Sequence, residues 1–271
     1  MCMRLLRRLC SLAGKPLSTL SRHSGRPRND PVGASLLDFV IAGEARQSHF
    51  LTRLTHGNVF QDYLNPGEKA MSEKQEMPVK ELEKELTNFL NTMSSKPGAK
   101  RTKPGCTIAH GKACALGTSV DNVPRVTPVD FFNDGLTIWI AGEPGGKIAN
   151  IMRNPKVSVG IYEPVDHGKE QKSLQIFGTA ELINMKNSPD EFKKRFAQFG
   201  LDEALAGLFE DYVERKTIAA GQSDAMLEKI PKMFNWIKIT PQKMILLHMT
   251  PGTFPLRKTW GPGSATVQTL G

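Results

Sequence analysis

The sequence has few cysteines, few large aromatic side chains and no long apolar run. Its 271 residues include four Cys, three Trp and three Tyr. So few cysteines exclude a small secreted domain that a disulfide framework holds together. No apolar stretch approaches the roughly 20 residues that a membrane-spanning helix needs, so we expect no membrane partner and no integral membrane protein.

The positive charge of the chain is concentrated near its start. The formal net charge is +9, and residues 1–70 hold ten Lys and Arg against five Asp and Glu. The remaining residues hold 26 against 22, which is only mildly basic. Nucleic-acid binding favours basic residues clustered on one face. We therefore expect no nucleic-acid partner and interpret the small basic segment at residues 96–103 as a linker, with a polyanion contact as the alternative.

The first residues differ in composition from the rest. Residues 1–29 contain seven Lys and Arg and no acidic residue, which is typical of a mitochondrial transit peptide. Residues 32–63 lack clear periodicity and continue beyond an ordinary presequence. We therefore favour a disordered extension over residues 1–70 of a cytoplasmic protein, with a mitochondrial protein as the alternative. A folded domain is predicted over residues 71–260 and a flexible tail over residues 261–271.

Helical patterns flank the central part of the chain. Apolar residues recur at three- and four-residue steps over residues 79–93, after Pro78, which suits a first helical turn. Further helices are predicted from Ser188 and over residues 201–216. Their Phe-rich faces are interpreted as core.

The central part of the chain is predicted to form strands. Runs rich in Val, Ile, Thr and aromatic residues alternate with turn residues, at residues 113–120, 125–132, 136–141, 157–162 and 174–182. A last strand pair is predicted over residues 234–240 and 244–249. The pattern predicts a mainly β fold with flanking helices, built on one antiparallel sheet or barrel.

A short helix interrupts these strands directly after Gly145 and Gly146. Ile148 and Ile151 lie about one turn apart, and a proline then ends the helix. Free backbone N–H groups, the helix dipole and the Lys147 ammonium meet in its first turn, which suits a phosphate. The alternative is a solvated lysine after a flexible turn.

Five motifs follow one another in a recognisable order. They are Gly-Thr on the first strand, PRVTPVDF on the second, Gly-Gly-Lys before the short helix, NPKVSV after it, and FGTAEL on the strand beyond the loop. Over about residues 104–183 the chain resembles the FMN-binding split barrels related to pyridoxamine 5'-phosphate oxidase. The resemblance implies a Greek-key, antiparallel split β-barrel.

The resemblance also implies a cofactor, a partner and a site. It implies a homodimer with FMN at the subunit interface and a small-molecule substrate. Arg125 and Lys147, with Gly146 in the same turn, are implied to hold the FMN phosphate. Other residues are implied to approach the flavin through the backbone of the second strand or through polar side chains; these are Val126, Thr127, Pro128, Val129, Ser173 and Gln175.

The chain departs from the family at two cationic positions. The oxidases carry a lysine where this chain has Asp130 and an arginine where it has Gly146, and residues 253–260 do not reproduce their C-terminal pattern. We therefore do not expect oxidation of pyridoxamine phosphate itself; the expected function is that of an FMN-dependent oxidoreductase acting on an unidentified small organic substrate. The alternatives are a non-catalytic flavin- or haem-binding protein and a reductase that uses the deazaflavin F420. The Phe-rich helices would then either form core or cover the substrate side of the flavin.

Histidine and cysteine give no clear catalytic or metal motif. Cys106, His110 and Cys114 have a spacing that fits no common zinc module, so reduced thiols are favoured over a metal. His110, His167 and His248 are haem-ligand candidates outside any ligand motif, and His248 is interpreted as an ordinary strand residue. The sequence shows no Ser-His-Asp arrangement and no paired-carboxylate motif, so the reactive atoms are expected to belong to the cofactor.

Overall fold

In the computed structural model, the chain is mainly β with helices around the sheet. The structure describes residues 73–98, 108–164, 166, 168–216 and 218–271. The strands, in chain order, are β1 Gln75–Glu76, β2 Lys96–Pro97, β3 Ile108–Ala109, β4 Cys114–Val120, β5 Val123–Val129, β6 Phe132–Asp134, β7 Thr137–Gly142, β8 Lys156–Tyr162, β9 Gln171–Ile183, β10 Asn235–Met249, β11 Leu256–Gly261 and β12 Ser264–Thr269. The helices are α1 Val79–Met93, α2 Gly146–Arg153, α3 Pro189–Gln198, α4 Leu201–Glu214 and α5 Ala220–Met233.

Ten of these strands form one antiparallel sheet that does not close on itself. The order is β1-β12-β11-β10-β9-β8-β4-β5, and β7 joins through β10 with β6 beyond it. One edge of β10 pairs with β9, whereas its other edge pairs first with β7 and then with β11. The sheet therefore divides at β10, and the predicted antiparallel split β-barrel is confirmed.

The prediction of two separate strands at residues 234–240 and 244–249 is wrong. β10 is one strand, and its pairing register with β9 shifts between Pro241 and Lys243. A proline has no N–H to donate and is tolerated in a sheet at such an irregularity. The strand therefore bends at Pro241 instead of ending there.

The prediction of a flexible tail from Gly261 is also wrong. β12 pairs with β11 along its length and with β1 on its other edge. The side chain of Ala265 is buried, and its carbonyl accepts a hydrogen bond from the Met77 N–H at 3.1 Å. Gly263, at φ +78°, makes the tight turn between the two strands. The glycines of this segment thus belong to a hairpin.

Helix α1 covers one side of the sheet. Its apolar stripe is buried, as the periodicity predicts, through Leu82, Leu86, Phe89, Leu90 and Met93. Polar contacts fix the same helix to β11: Lys258 Nζ lies 2.7 Å from Glu85 Oε2, and Trp260 Nε1 donates to Glu83 Oε1 at 3.0 Å. The core beneath α1 combines these side chains with inward-facing residues of β4, β8, β9 and β10.

Helices α3 and α4 pack by aromatic side chains against the other part of the sheet. Phe199 stacks on Phe132 at 4.7 Å between ring centroids and contacts Trp236 edge-on at 5.4 Å. Phe192 and Phe209 are also buried, which confirms the interpretation of these faces as core. Helix α5 is missing from the sequence prediction, because Gly221 and Pro231 interrupt its pattern.

Several predictions lie outside the described residues. They concern the extension over residues 1–70, most of the basic segment at 96–103, Cys106 and His167. Among the helices that the structure describes, none has the length and apolar character to cross a membrane.

Candidate functional site

Strand β5 carries most of the predicted flavin-contacting residues and lies at an open end of the sheet. Among the described strands it pairs only with β4, in the order Thr118 opposite Arg125 through Cys114 opposite Val129. A tight hairpin joins the two strands, with Asp121 at φ 52° and Asn122 at φ 60°. Positive φ at both central residues is typical of a type I′ turn, which fixes the register. Asp-Asn therefore determines which residues of β5 face the core.

The free edge of β5 offers a restricted set of hydrogen-bonding groups. Its ladder with β4 runs without interruption past Pro124 and Pro128, which have no N–H. N–H groups alternate between the two edges of a strand, so Arg125 and Thr127 donate to β4, whereas Pro124, Val126 and Pro128 share the open edge. Val126 is then the only residue of the segment from Pro124 to Pro128 whose N–H points to the open edge.

Side-chain hydrogen bonds hold helix α2 against the β4–β5 hairpin, close to its turn. Asn150 Nδ2 donates to Thr118 Oγ1 at 3.1 Å, and Asn154 Nδ2 donates to the Ser119 carbonyl at 3.0 Å. These two asparagines were not predicted to have a role. The Asn-Pro motif marks Asn154, but its partner could be identified only from the structure.

The C-terminal end of α2 forms a small polar groove with the hairpin. Arg153 Nη2 contacts Asp121 Oδ2 at 2.7 Å. The groove has a volume of about 250 Å³ and is lined by Ser119, Val120, Asp121, Asn122, Arg153 and Asn154. It lies at the opposite end of α2 from the predicted phosphate anchors.

The structure places the Arg125 guanidinium at the first turn of α2, the turn that contains Lys147. The Arg125 guanidinium lies so close to Gly146 that a Cβ built on that glycine would be 2.7 Å from Nη1. Lys147 is the next residue of the helix. Arg125 is exposed, and no ion pair joins it to an acidic group among the described residues. The Arg125 guanidinium thus lies at the positive end of the helix dipole, in the turn that Lys147 continues.

Ser173 and Gln175 are not brought to the same place within one chain. Gln175 of β9 is separated from β5 by strands β8 and β4. It lies in one cross-strand row with Gly160, Ala115 and Pro128, in that order. At about 4.8 Å between strands, Gln175 is roughly 14 Å from β5. Ser173 lies two residues farther along β9, opposite Tyr162.

A sheet face with exposed apolar side chains lies between β5 and the residues Ser173 and Gln175 of β9. Val126 is 67% exposed, Tyr162 63% and Phe177 43%. Val126 and Phe177 belong to one cross-strand row, through Gly117 and Ser158. This face, which we call the outer face, consists of Val126, Pro128, Ser158, Tyr162, Gln175 and Phe177.

Asp130, the residue after β5, is paired with a histidine side chain. Its Oδ2 lies 3.4 Å from His110 Nδ1, and both side chains reach solvent. The thiol of Cys114 is buried nearby, and burial raises its pKa from 9.0 to about 12. Within the described ranges, no group of three or more His, Cys, Asp or Glu side chains is arranged to hold a metal.

His248 is paired with a carboxylate at the far end of β10. Its Nε2 lies 2.6 Å from Glu170 Oε1. Lys172 and His248, by hydrogen bonding and charge, hold the pKa of the Glu170 carboxyl below its ordinary value. His248 lies opposite Lys172 on β9, near Ser173 and away from α2.

Comparisons with known proteins place this chain in a family. A search of curated proteins returned no match. Solved structures with a similar chain include a pyridoxamine 5'-phosphate oxidase-related, FMN-binding protein from Nostoc punctiforme PCC 73102, which is 14% identical, with 59% of this chain and 88% of that chain covered and a TM-score of 0.41. An FAD-binding protein from Mesorhizobium loti is 17% identical, with 65% and 99% covered and a TM-score of 0.38. PhzG from Burkholderia lata 383, in complex with tetrahydrophenazine-1-carboxylic acid, is 13% identical, with 59% and 82% covered and a TM-score of 0.41.

The family is shown by a match at the level of sequence. The family model named pyridoxamine 5'-phosphate oxidase matches residues 106–248, which is more than half of the chain. The matched range includes the hairpin of β4 and β5, helix α2 and the strands that carry the outer face. The chain therefore belongs to the pyridoxamine 5'-phosphate oxidase family.

Proposed function

We propose that the protein is an FMN-dependent oxidoreductase that acts on a small organic substrate. The observation that carries the proposal is the position of the Arg125 guanidinium against Gly146, at the start of the helix that continues with Lys147. A phosphate there would meet two cationic side chains and the free N–H groups of a helical first turn. FMN, when bound, would supply the electron transfer. The chain would hold the cofactor and select the substrate.

The open edge of β5 fits the ring of the proposed cofactor. Thr127 and Val129 use their N–H groups in the ladder with β4, whereas the Val126 N–H points away from it. Pro128 presents its carbonyl on the same edge but has no N–H to donate. We propose that this edge lies along the isoalloxazine ring, with the Val126 N–H donating to one of the ring's acceptor atoms.

A homodimer is part of the proposal. The outer face leaves Val126, Tyr162 and Phe177 exposed in one chain, and apolar patches of this kind mark interaction surfaces. Ser173 and Gln175 lie three strands from β5. In a dimer formed through the outer face, they would reach the flavin that the partner chain anchors, so each site would need both chains.

The substrate is proposed to differ from pyridoxamine phosphate. The carboxylate of Asp130 stands at the end of the ring-facing strand, with His110 beside it. A carboxylate repels a phosphate and favours a cationic or hydrogen-bond-donating group. A substrate group of that kind near β5 would agree with both the charge and the exposure of Asp130.

The first test is the absorption spectrum of the freshly purified protein, followed by mass determination of the released cofactor. Flavin bands and the mass of FMN would support the proposal. The mass of F420 would favour a deazaflavin-dependent reductase, and a Soret band would favour haem binding. A colourless protein that also fails to bind added FMN would overturn the proposal.

The second test removes the phosphate anchors. We expect the double variant Arg125→Ala/Lys147→Ala to bind FMN at least about 100-fold more weakly, because two charge-assisted contacts are lost. A matched control is Arg153→Ala/Lys156→Ala, which removes the same charge at the other end of α2. Fluorescence titration with FMN and with riboflavin, which has no phosphate, measures both. FMN affinity equal to that of the wild type would contradict the phosphate assignment.

A further inference from the structure

Gly145 precedes helix α2 and Gly146 begins it, and only at Gly146 would a side chain displace a neighbouring group. A Cβ built on Gly146 would lie 2.7 Å from Arg125 Nη1 and 2.9 Å from Arg125 Cζ, closer than real Cβ atoms approach other atoms. A Cβ built on Gly145 would meet no atom within 4 Å. Gly145 has an extended backbone with φ 165°, so any residue could stand there.

The backbone of Gly146 does not explain the glycine either. Gly146 is the first residue of α2, and every L-amino acid adopts helical angles. Alanine would even be favoured there by helix propensity. The missing side chain therefore leaves space for one neighbour, the guanidinium of Arg125.

That guanidinium lies where its own charge is unfavourable without an anion. The start of a helix carries a partial positive charge, which repels a cation, and Lys147 adds a second cation in the same turn. No ion pair joins Arg125 to an acidic side chain in the described part of the chain. Glu143, the acid nearest in sequence to Gly146, has a buried Oε1 atom with no hydrogen-bond partner among the described residues.

We propose that Gly146 is a positioning residue that seats the Arg125 guanidinium over the first turn of α2, so that this arginine binds the FMN phosphate together with the helix N–H groups. The inference rests on the proposed function. It explains the position of the Arg125 guanidinium by the absence of a Cβ at Gly146. In this chain, a Cβ at position 146 would occupy the place of the Arg125 guanidinium and shift it from the first turn of α2, whereas the ring contacts of β5 would be unchanged.

The test compares Gly146→Ala with Gly145→Ala in the full chain. We expect Gly146→Ala to weaken FMN binding by about tenfold or more, the size of one charge-assisted hydrogen bond. Riboflavin binding should be unchanged in both variants, and Gly145→Ala should bind FMN like the wild type. In an Arg125→Ala background, Gly146→Ala should cause no further loss, because the group that it displaces is gone.

Two results would overturn the inference. One is wild-type FMN affinity in Gly146→Ala. The other is an equal loss of FMN and riboflavin, which would mean that the glycine supports the fold or the ring and not the phosphate. Melting temperatures of the two alanine variants check the fold directly.

Crystal structures of the variants without ligand separate this inference from the flavin proposal. The Arg125 guanidinium should be displaced in Gly146→Ala and should keep its place in Gly145→Ala. If the wild type binds no FMN, the flavin proposal fails while these structures still decide the positioning role. A guanidinium that keeps its wild-type place in Gly146→Ala would contradict that role.

Discussion

The thiol of Cys114 couples the stability of the fold to alkaline pH. Burial raises its pKa from 9.0 to about 12, so in this range the folded chain keeps a proton that the unfolded chain loses. The free energy of unfolding therefore falls as pH rises, by up to about 1.4 kcal/mol per pH unit. Denaturant titrations should show a steeper loss in the wild type than in Cys114→Ala.

The same pair of proteins provides the control. Between about pH 6 and 8 the thiol is protonated in both states, so the difference in stability between wild type and variant should be constant. Equal slopes of the two proteins above pH 9 would contradict the burial of the thiol.

Gly178 and Gly160 lie on neighbouring strands but differ in the space around them. A Cβ on Gly178 would lie 2.5 Å from the carbonyl oxygen of Thr240, whereas a Cβ on Gly160 would first meet Ala115 Cβ at 3.9 Å. We expect Gly178→Ala to lower the free energy of unfolding by about 1–3 kcal/mol, because the backbone of β10 must move. Gly160→Ala should change it by less than about 0.5 kcal/mol. Chemical denaturation measures both, and similar stabilities of the two variants would contradict this difference.

Strand β12 is an element whose removal should show that the end of the domain is structured. Deleting residues 263–271 removes Ala265 from the core and leaves β11 and β1 without their shared neighbour. We expect the free energy of unfolding to fall by about 2–4 kcal/mol, as for the loss of other buried contacts. Thermal unfolding is the measurement, with deletion of Gly271 alone as the control. Unchanged melting of the longer deletion would restore the prediction of a loose tail.

The elements differ in how far the sequence could predict them. Helix α1, helix α2 and strands β4, β5, β7, β8 and β9 have periodic apolar residues and clear turn signals, and the sequence predicts them, whereas the short strand β6 is not predicted. β12 contains mostly small residues next to Gly and Pro, and it becomes a strand through its pairing with β11. α5 has Gly221 and Pro231 within it. Both elements depend on tertiary packing, which overrides weak local preference.

The site could be predicted in its residues but not in its arrangement. Arg125 and Lys147 follow from motifs, whereas the contact between Arg125 and Gly146 joins positions that only the folded hairpin and helix bring together. Gln175 was predicted beside the same flavin, yet its distance from β5 depends on the order of strands in the sheet. Strand order is a long-range property, and local patterns do not encode it.

At the scale of the whole molecule, the outer face predicts self-association. We expect the wild type to elute at twice the chain mass of 29.9 kDa. Phe177→Asp, which places a charge on the outer face, should yield a monomer and should weaken FMN binding, because each site would need both chains. Size-exclusion chromatography with light scattering measures the mass.

A matched control places the same charge elsewhere. Ala225 is exposed on α5, so Ala225→Asp should leave the mass unchanged. A monomeric wild type, or a dimeric Phe177→Asp variant, would contradict an interface formed through the outer face.

The two prolines of β5 also have a consequence for the behaviour of the protein at high concentration. An unpaired sheet edge can recruit strands from other molecules and start aggregation. At this edge Pro124 and Pro128 leave only the Val126 N–H between them to donate, so an incoming strand would find too few donors to continue the ladder. The edge that is proposed to lie along a cofactor is thus protected from amyloid-like growth even while it is empty.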